Sequence, residues 1–375
     1  MNNDPFGVDA ERLAEIAGKR AKIAAFLGEK NVSAIVISRH DNIAWATAGL
    51  VDVRVGMLRE IGAASLLVTR DGAAHYLTTN NEALRLAEEE FDGLGFAPHV
   101  NPWHANDLRA TAAQIAGSGV IAGDMGQEGL QPLNMQSLRH ELTNSEAARY
   151  KWLGAHAAMA AAAVLPRFQP GMSEHALQAM LAEQLIRDGV MPSVYLTSTD
   201  ARVTKYPHPV PRAGVLERLG MLGFCARRWG LSVSLTRYVY FGAPPAELEE
   251  AFAVLRQVSA QLVAATRPGA TSSELFSVAQ QAYASLGCAG AEENHHQGGA
   301  TGYLEREWFA RPGGTERVTA QQAFAWNPTM RGAKIEDTYL LKNGEMQLLT
   351  ATPELPTVTT SWNGVEYRSA GLLRV

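Results

Sequence analysis

The sequence predicts an α/β N-terminal domain, residues 1–144, followed by an α+β C-terminal domain, residues 145–375, with a pseudo-twofold repeat. Three observations carry this prediction. A chain of 375 residues exceeds what one ordinary hydrophobic core serves. Its first part alternates between helical and strand periods. Its second part repeats a helix–turn–helix–strand arrangement.

In the first part, Leu13, Ile16, Ile23 and Leu27 have the spacing of one helix face, which predicts a helix over Ala10–Gly28. A short apolar strand follows at Ser33–Ser38. A second strand, Ala64–Thr69, turns at Arg70-Asp71-Gly72 and continues as Ala74–Thr78. Asn81–Phe91 reads as helix and Gly119–Asp124 as strand. Ser145 is placed to cap a long helix over Ala147–Leu165, and the domain boundary is set just before it.

In the second part, Pro170-Gly171 and Pro268-Gly269 each make a turn. Ser or Thr then caps a helix with an acid in its first turn. A long helix precedes each turn, Ala147–Leu165 and Leu248–Ala265. Strand-forming segments follow: Ser193–Thr197 with Leu219–Phe241, then Phe324–Leu341. Such a repeat implies a site between the two halves.

Composition excludes several classes. With 46% apolar and 19% charged residues and a net charge of −5, the chain lacks the basic excess that nucleic acid or an anionic membrane surface requires. Its longest apolar run, Ala157–Leu165, is too short to span a bilayer. The start at Met1-Asn2-Asn3-Asp4 lacks the basic and apolar regions of a signal peptide. Two cysteines, Cys225 and Cys288, make no disulfide framework and read as buried, reduced thiols. A cytoplasmic location is expected.

Three segments stand out together: Pro207-His208-Pro209; Gly230 through Thr236-Arg237; and His296-Gln297-Gly298-Gly299 through Asn327-Pro328 to Ile335-Glu336-Asp337-Thr338. In order and spacing they resemble the creatinase/aminopeptidase P/prolidase superfamily (peptidase M24). Its corresponding motifs are Pro-His, Gly-Tyr-x-x-Asp-x-Thr-Arg, and His-Gly-x-Gly with Glu-Pro and Glu-Asp-Thr. The resemblance covers about residues 145–350, and Asp41-Asn42-Ile43 and Gly49 extend it loosely to the first domain. It implies the pita-bread fold for residues 145–375.

Members of that superfamily that bind two metal ions use two aspartates, one histidine and two glutamates. Carried over residue by residue, these fall on Gly223, Ser234, His296, Asn327 and Glu336. A bridged pair of hard ions needs several carboxylates, so no metal and no other cofactor is expected here. A single zinc through His296 and Glu336 is left open by the ligand types. If the segment is a strand, His295 faces away from His296, because neighbours on a strand point to opposite faces.

The resemblance extends to the metal-free creatinases, where a histidine is general base and acid and glutamates hold a cationic group. His208 matches that histidine, Glu336 one glutamate, and Tyr303-Leu304-Glu305-Arg306-Glu307 the stretch beyond the second active-site histidine, whose place Tyr303 takes. From the residues alone, His208 either works as a base on a stiff Pro-His-Pro segment or packs on Tyr206. Glu336 is either paired with a local cation such as Lys334 or turned toward a cationic ligand. Arg237 reads as a structural ion-pair partner. Tyr303, Trp308, Phe324 and Trp326 either wall a pocket or fill a core.

The expected catalytic residues are His208, Glu336 and His296. The expected substrate contacts are His295, Tyr303, Glu305, Arg306, Asn327 and Ser234. Arg54 and Arg59 are expected to reach a substrate carboxylate across a homodimer interface, where the resemblance implies that the N-terminal domain completes the partner's site. The leading expectation is a metal-independent, creatinase-like hydrolase that cleaves a C–N bond of a small amino-acid-like or guanidino compound. Two alternatives stand beside it: an Xaa-Pro aminopeptidase or prolidase-type metallopeptidase, and a non-catalytic domain that binds a peptide or protein.

Overall fold

The computed structural model describes residues 5–57 and 59–375. The segment Met1–Asp4, read above as lacking a leader, lies outside them. The chain forms two compact units that divide between Glu146 and Ala147, two residues beyond the expected boundary. Buried Lys19 explains the offset. Its ammonium bonds both Glu15, at 2.6 Å, and Glu146, at 2.7 Å, so the first turn of the long helix belongs to the first unit by its contacts.

The first unit holds a six-stranded sheet. Its order is Ala97–Asn101, Ala74–Thr79, Ile61–Thr69, Ala34–Arg39, Ile121–Gly123, Gln131–Pro132. The helix Ala10–Glu29 buries Ile16, Ile23 and Leu27, and Asp9 caps it by accepting from the Arg12 N–H at 2.8 Å. The helix expected over Asn81–Phe91 shrinks to Ala83–Arg85 followed by a wide turn, Leu86–Glu90. Only Leu86 is buried in those two pieces, so little apolar burial stabilises a longer helix there.

The long helix Asn144–Val164 carries the chain into the second unit. Thr143 caps it, not Ser145. The Thr143 hydroxyl accepts from the Glu146 N–H at 3.1 Å, and the Glu146 carboxylate accepts from the Thr143 N–H at 2.7 Å. That reciprocal pair needs the acid three residues after the cap, a spacing that Thr143 meets. Ser145 lies within the first turn and donates to Glu11 instead.

The two repeat helices form at Glu174–Arg187 and Ser272–Ser285, capped by Ser173 and Thr271. One sheet runs Leu372–Arg374, Leu231–Tyr240, Leu219–Arg228, Met191–Tyr195. The other runs Trp308–Phe309, Gly298–Thr301, Gln322–Trp326, Asp337–Lys342, Glu345–Leu348. Leu255, Val258, Leu275 and Tyr283 from the helices pack with Phe324, Trp326 and Leu341 in one core. Each such side chain contributes about 1.5–3 kcal/mol of burial.

The sheets meet where the site forms. Thr236 and Glu336 bridge them, and the Thr338 hydroxyl donates to the Ser234 carbonyl at 2.9 Å while accepting its N–H at 2.8 Å.

Candidate active site

The hairpin Leu219–Arg228/Leu231–Tyr240 sets the first side of the site. Its loop is Trp229-Gly230, both at positive φ (54° and 77°), as a two-residue hairpin turn of matching twist requires. Strand alternation then puts Ser234 and Thr236 on one face, opposite Cys225 and Gly223.

Glu336 lies at the centre of the seam. The Thr236 hydroxyl donates to its Oε2 at 2.6 Å, and Arg306 donates to its Oε1 at 3.3 Å. The same guanidinium donates to the Ser234 hydroxyl at 3.1 Å, which also lies 3.1 Å from the Cys225 sulfur. Burial by itself raises the Glu336 carboxyl, but Lys334, Arg306 and Thr236 outweigh it and hold the group below the usual carboxylate range. Lys334 is buried too, and its ammonium is lowered by burial and by Arg306 against the pull of Glu336. Of the two readings of Glu336, pairing with the chain's own cations is the one the structure shows.

The second side carries the histidines. Glu174, in the first turn of its helix, accepts from the Ser198 hydroxyl at 2.8 Å, the Thr199 N–H at 3.0 Å, Arg202 Nε at 3.0 Å and the Arg212 N–H at 2.7 Å. These bonds pin both ends of the segment that carries exposed His208. His208 Nε2 lies 2.8 Å from His295 Nε2, and His295 Nδ1 faces the His296 carbonyl at 2.5 Å. One ring nitrogen from each of His208, His295 and His296 lies within 4.8 Å of the others.

The separation that a strand would impose on His295 and His296 is therefore not found. Paired strand begins only at Gly298, whose φ of +106° is not that of regular strand, so alternation does not govern residues 295 and 296. Burial, then the Lys334 charge, lowers the His295 imidazole to about 4. Burial, then His295 and Arg306, lowers His296 to about 2. His208 is exposed as a residue, but its ring is partly enclosed by its neighbours, and that enclosure, with Lys334 and Arg306, lowers it while Glu336 opposes.

Several expected contacts fall elsewhere. Tyr303 is fully buried and offers substrate no surface; Trp308, Phe324 and Trp326 are likewise core. Glu305 turns to Arg227, at 3.0 Å, and to the Ser193 hydroxyl, at 2.7 Å, because a carboxylate finds its charge partner there rather than in the pocket. Arg306 is in the site, but as the partner of Glu336. Arg54 is held by both oxygens of Asp52, at 2.9 and 2.7 Å, so its fork is already used within its own loop. Arg59 rests against Gly56 in the first unit. Asn327 is buried, and its side-chain oxygen has no hydrogen-bond partner among the described residues.

A cavity of about 470 Å³ opens beside His295 and Lys334. Its lining includes Lys205, Met221, Tyr238 and Arg331 and no carboxylate. Sequence reasoning missed these residues, since Lys205 and Arg331 are exposed side chains and only the fold brings them to the rim of one cavity.

The five positions do not fit a carboxylate-bridged pair of ions. A side chain at Gly223 would meet Thr236 Oγ1 at 3.1 Å. Ser234 and both Glu336 oxygens are engaged by the chain's own donors, and Asn327 is neutral. Arg306 and Lys334 already place two cations beside the one carboxylate.

Residues 150–343, more than half of the chain, match the model of metallopeptidase family M24. Over 158 residues the chain is 28% identical to an Xaa-Pro dipeptidase of Pyrococcus horikoshii, a match that spans 40% of this chain and 45% of that protein. The fold is similar to that of dipeptidase PepE from Mycobacterium ulcerans, at 18% identity and a TM-score of 0.78, over 98% of this chain and 100% of that one. It is also similar to the N-terminal domain of a FACT complex subunit from Cicer arietinum, at 12% identity and a TM-score of 0.65, over 91% and 97%. An N-terminal α/β domain with a C-terminal pita-bread domain is the architecture of this chain, and with the family match it follows that the protein belongs to metallopeptidase family M24.

Proposed function

We propose that this chain hydrolyses the C–N bond of a small, amide-like substrate that carries a carboxylate, using its own cations where relatives would use a bridged metal pair. The supporting observation is the Arg306 guanidinium held between Ser234 and Glu336, with Lys334 beside it. A neutral imidazole at His208 takes a proton from water as the water oxygen bonds to the substrate carbonyl carbon. The proton then passes to the leaving nitrogen as the C–N bond breaks. Arg306 and Lys334 supply positive charge toward the oxyanion that develops in between. The cationic lining, and a Glu336 already neutralised, favour a carboxylate-bearing amide over a cationic guanidino head group.

The test is an assay of Xaa-Pro dipeptides and N-acyl amino acids in the presence of a chelator. Cleavage is expected, and His208→Ala is expected to lower kcat/KM by a factor on the order of 10²–10⁴. Activity that survives His208→Ala, or that appears only with added metal, sinks the proposal. The second of those outcomes favours a metallopeptidase of Xaa-Pro type, the reading that the 28% identical relative supports. Peptide binding without turnover across the panel favours a non-catalytic peptide-binding domain.

A further inference from the structure

The three histidines form a group distinct from the Arg306–Glu336 pair. Two of them, His208 and His295, lie outside the five positions a bridged metal pair would use. His295 Nδ1 bonds to the His296 carbonyl, which assigns the ring hydrogen to Nδ1 and leaves the Nε2 lone pair facing His208. An imidazole so oriented by a backbone carbonyl is the usual support of a metal-ligating histidine. His296 Nδ1 is buried with no hydrogen-bond partner among the described residues.

We infer that His208, His295 and His296 together bind a single divalent transition ion of the zinc type. Three histidines with one position left for water or substrate is an established zinc ligand set. Zinc–nitrogen bonds of about 2.0–2.1 Å in a tetrahedron put the nitrogens roughly 3.3 Å apart. The three nitrogens already lie within 4.8 Å, so rotation of the rings by about an ångström closes the set. Lys334 and Arg306 weaken the attraction for a cation, and Glu336 partly restores it.

An ion on His208 would occupy the lone pair that the proposed hydrolysis needs, making it an inhibitor. That consequence rests on the functional reading above; the binding itself does not.

The experiment is titration of the chelator-stripped full chain with cobalt(II), followed by its visible absorption and by calorimetry, and then with zinc in competition. One equivalent is expected, with the intense bands of a four-coordinate site. His208→Gln, at an exposed position, and His295→Ala are each expected to weaken binding by more than about 100-fold, beyond the effect of losing a supporting group. Circular dichroism verifies that each variant is folded. No spectral change at millimolar cobalt, or undiminished affinity in the folded His208→Gln variant, overturns the inference. Binding that leaves peptide hydrolysis unaffected retains the metal site and removes His208 from the role of base.

Discussion

Arg306 and Arg237 show how one residue type takes two roles at one seam. Arg306 reaches Ser234 and Glu336 from the second sheet. Arg237 is buried and donates to Asp337 at 2.7 Å, the Thr352 hydroxyl at 2.9 Å and the Thr236 carbonyl at 2.8 Å. The structural role expected for Arg237 is the one found. Its neighbour Asp337 has no other cation among the ion pairs of the described residues. Removing one member of a buried pair leaves an uncompensated charge, at a cost of about 3–5 kcal/mol. Arg237→Met is therefore expected to lose that much stability in urea unfolding, and a loss below about 1 kcal/mol would contradict a buried, unscreened pair. At this scale the sequence made the kind of role legible for Arg237, a cation in an apolar strand, but not its partners, which lie about a hundred positions away. It was not legible for Tyr303 or Glu305, whose burial and partner are set by segments remote in sequence.

Among the elements, the helix Glu174–Arg187 does more than pack. Its first-turn carboxylate collects donors from Ser198, Thr199, Arg202 and Arg212, and so anchors the segment bearing His208. An acid at a helix N-terminus is also favoured by the aligned peptide dipoles. Glu174→Gln keeps the shape and removes the charge, so roughly 1.5–3 kcal/mol of charged hydrogen bonding is expected to weaken. The measurement is hydrogen exchange. Amides 198–212 should lose protection while the core strand Gln322–Trp326 retains it; unchanged exchange at 198–212 would show that other contacts hold the loop. The capping signals at Ser173 and Thr271 were readable because a cap is local chemistry. The strand Ala97–Asn101 was not, since none of its residues is buried and its one large apolar side chain, Val100, is exposed.

For the molecule as a whole, the buried histidines tie stability to pH. His295 and His296 have folded-state values near 4 and 2, below the ordinary value of 6.5, with burial the leading cause. The unfolded chain therefore binds more protons between those values. Stability is full above pH 6.5 and falls as pH drops toward 4. Lys334 and Arg306 face the rings and oppose protonation, while Glu336 favours it. In chelator-treated protein the melting temperature is expected to decline from pH 7 to 4.5, less steeply in His296→Gln. A parallel decline in both would assign the acid sensitivity to other groups.

The sequence by itself determined the family, the order of the elements in both halves of the repeat, and the absence of a carboxylate at Gly223, Ser234 and Asn327. Each of these is written in local spacing or in the identity of single residues. Only the tertiary structure decided which side chains meet around those positions. Arg306 meets Glu336 across 30 positions, and His208 meets His295 across 87. Such meetings depend on how two sheets join and where a pinned loop ends, which no periodicity along the chain encodes. The histidines that strand alternation would have separated are neighbours because the strand has not yet begun where they stand.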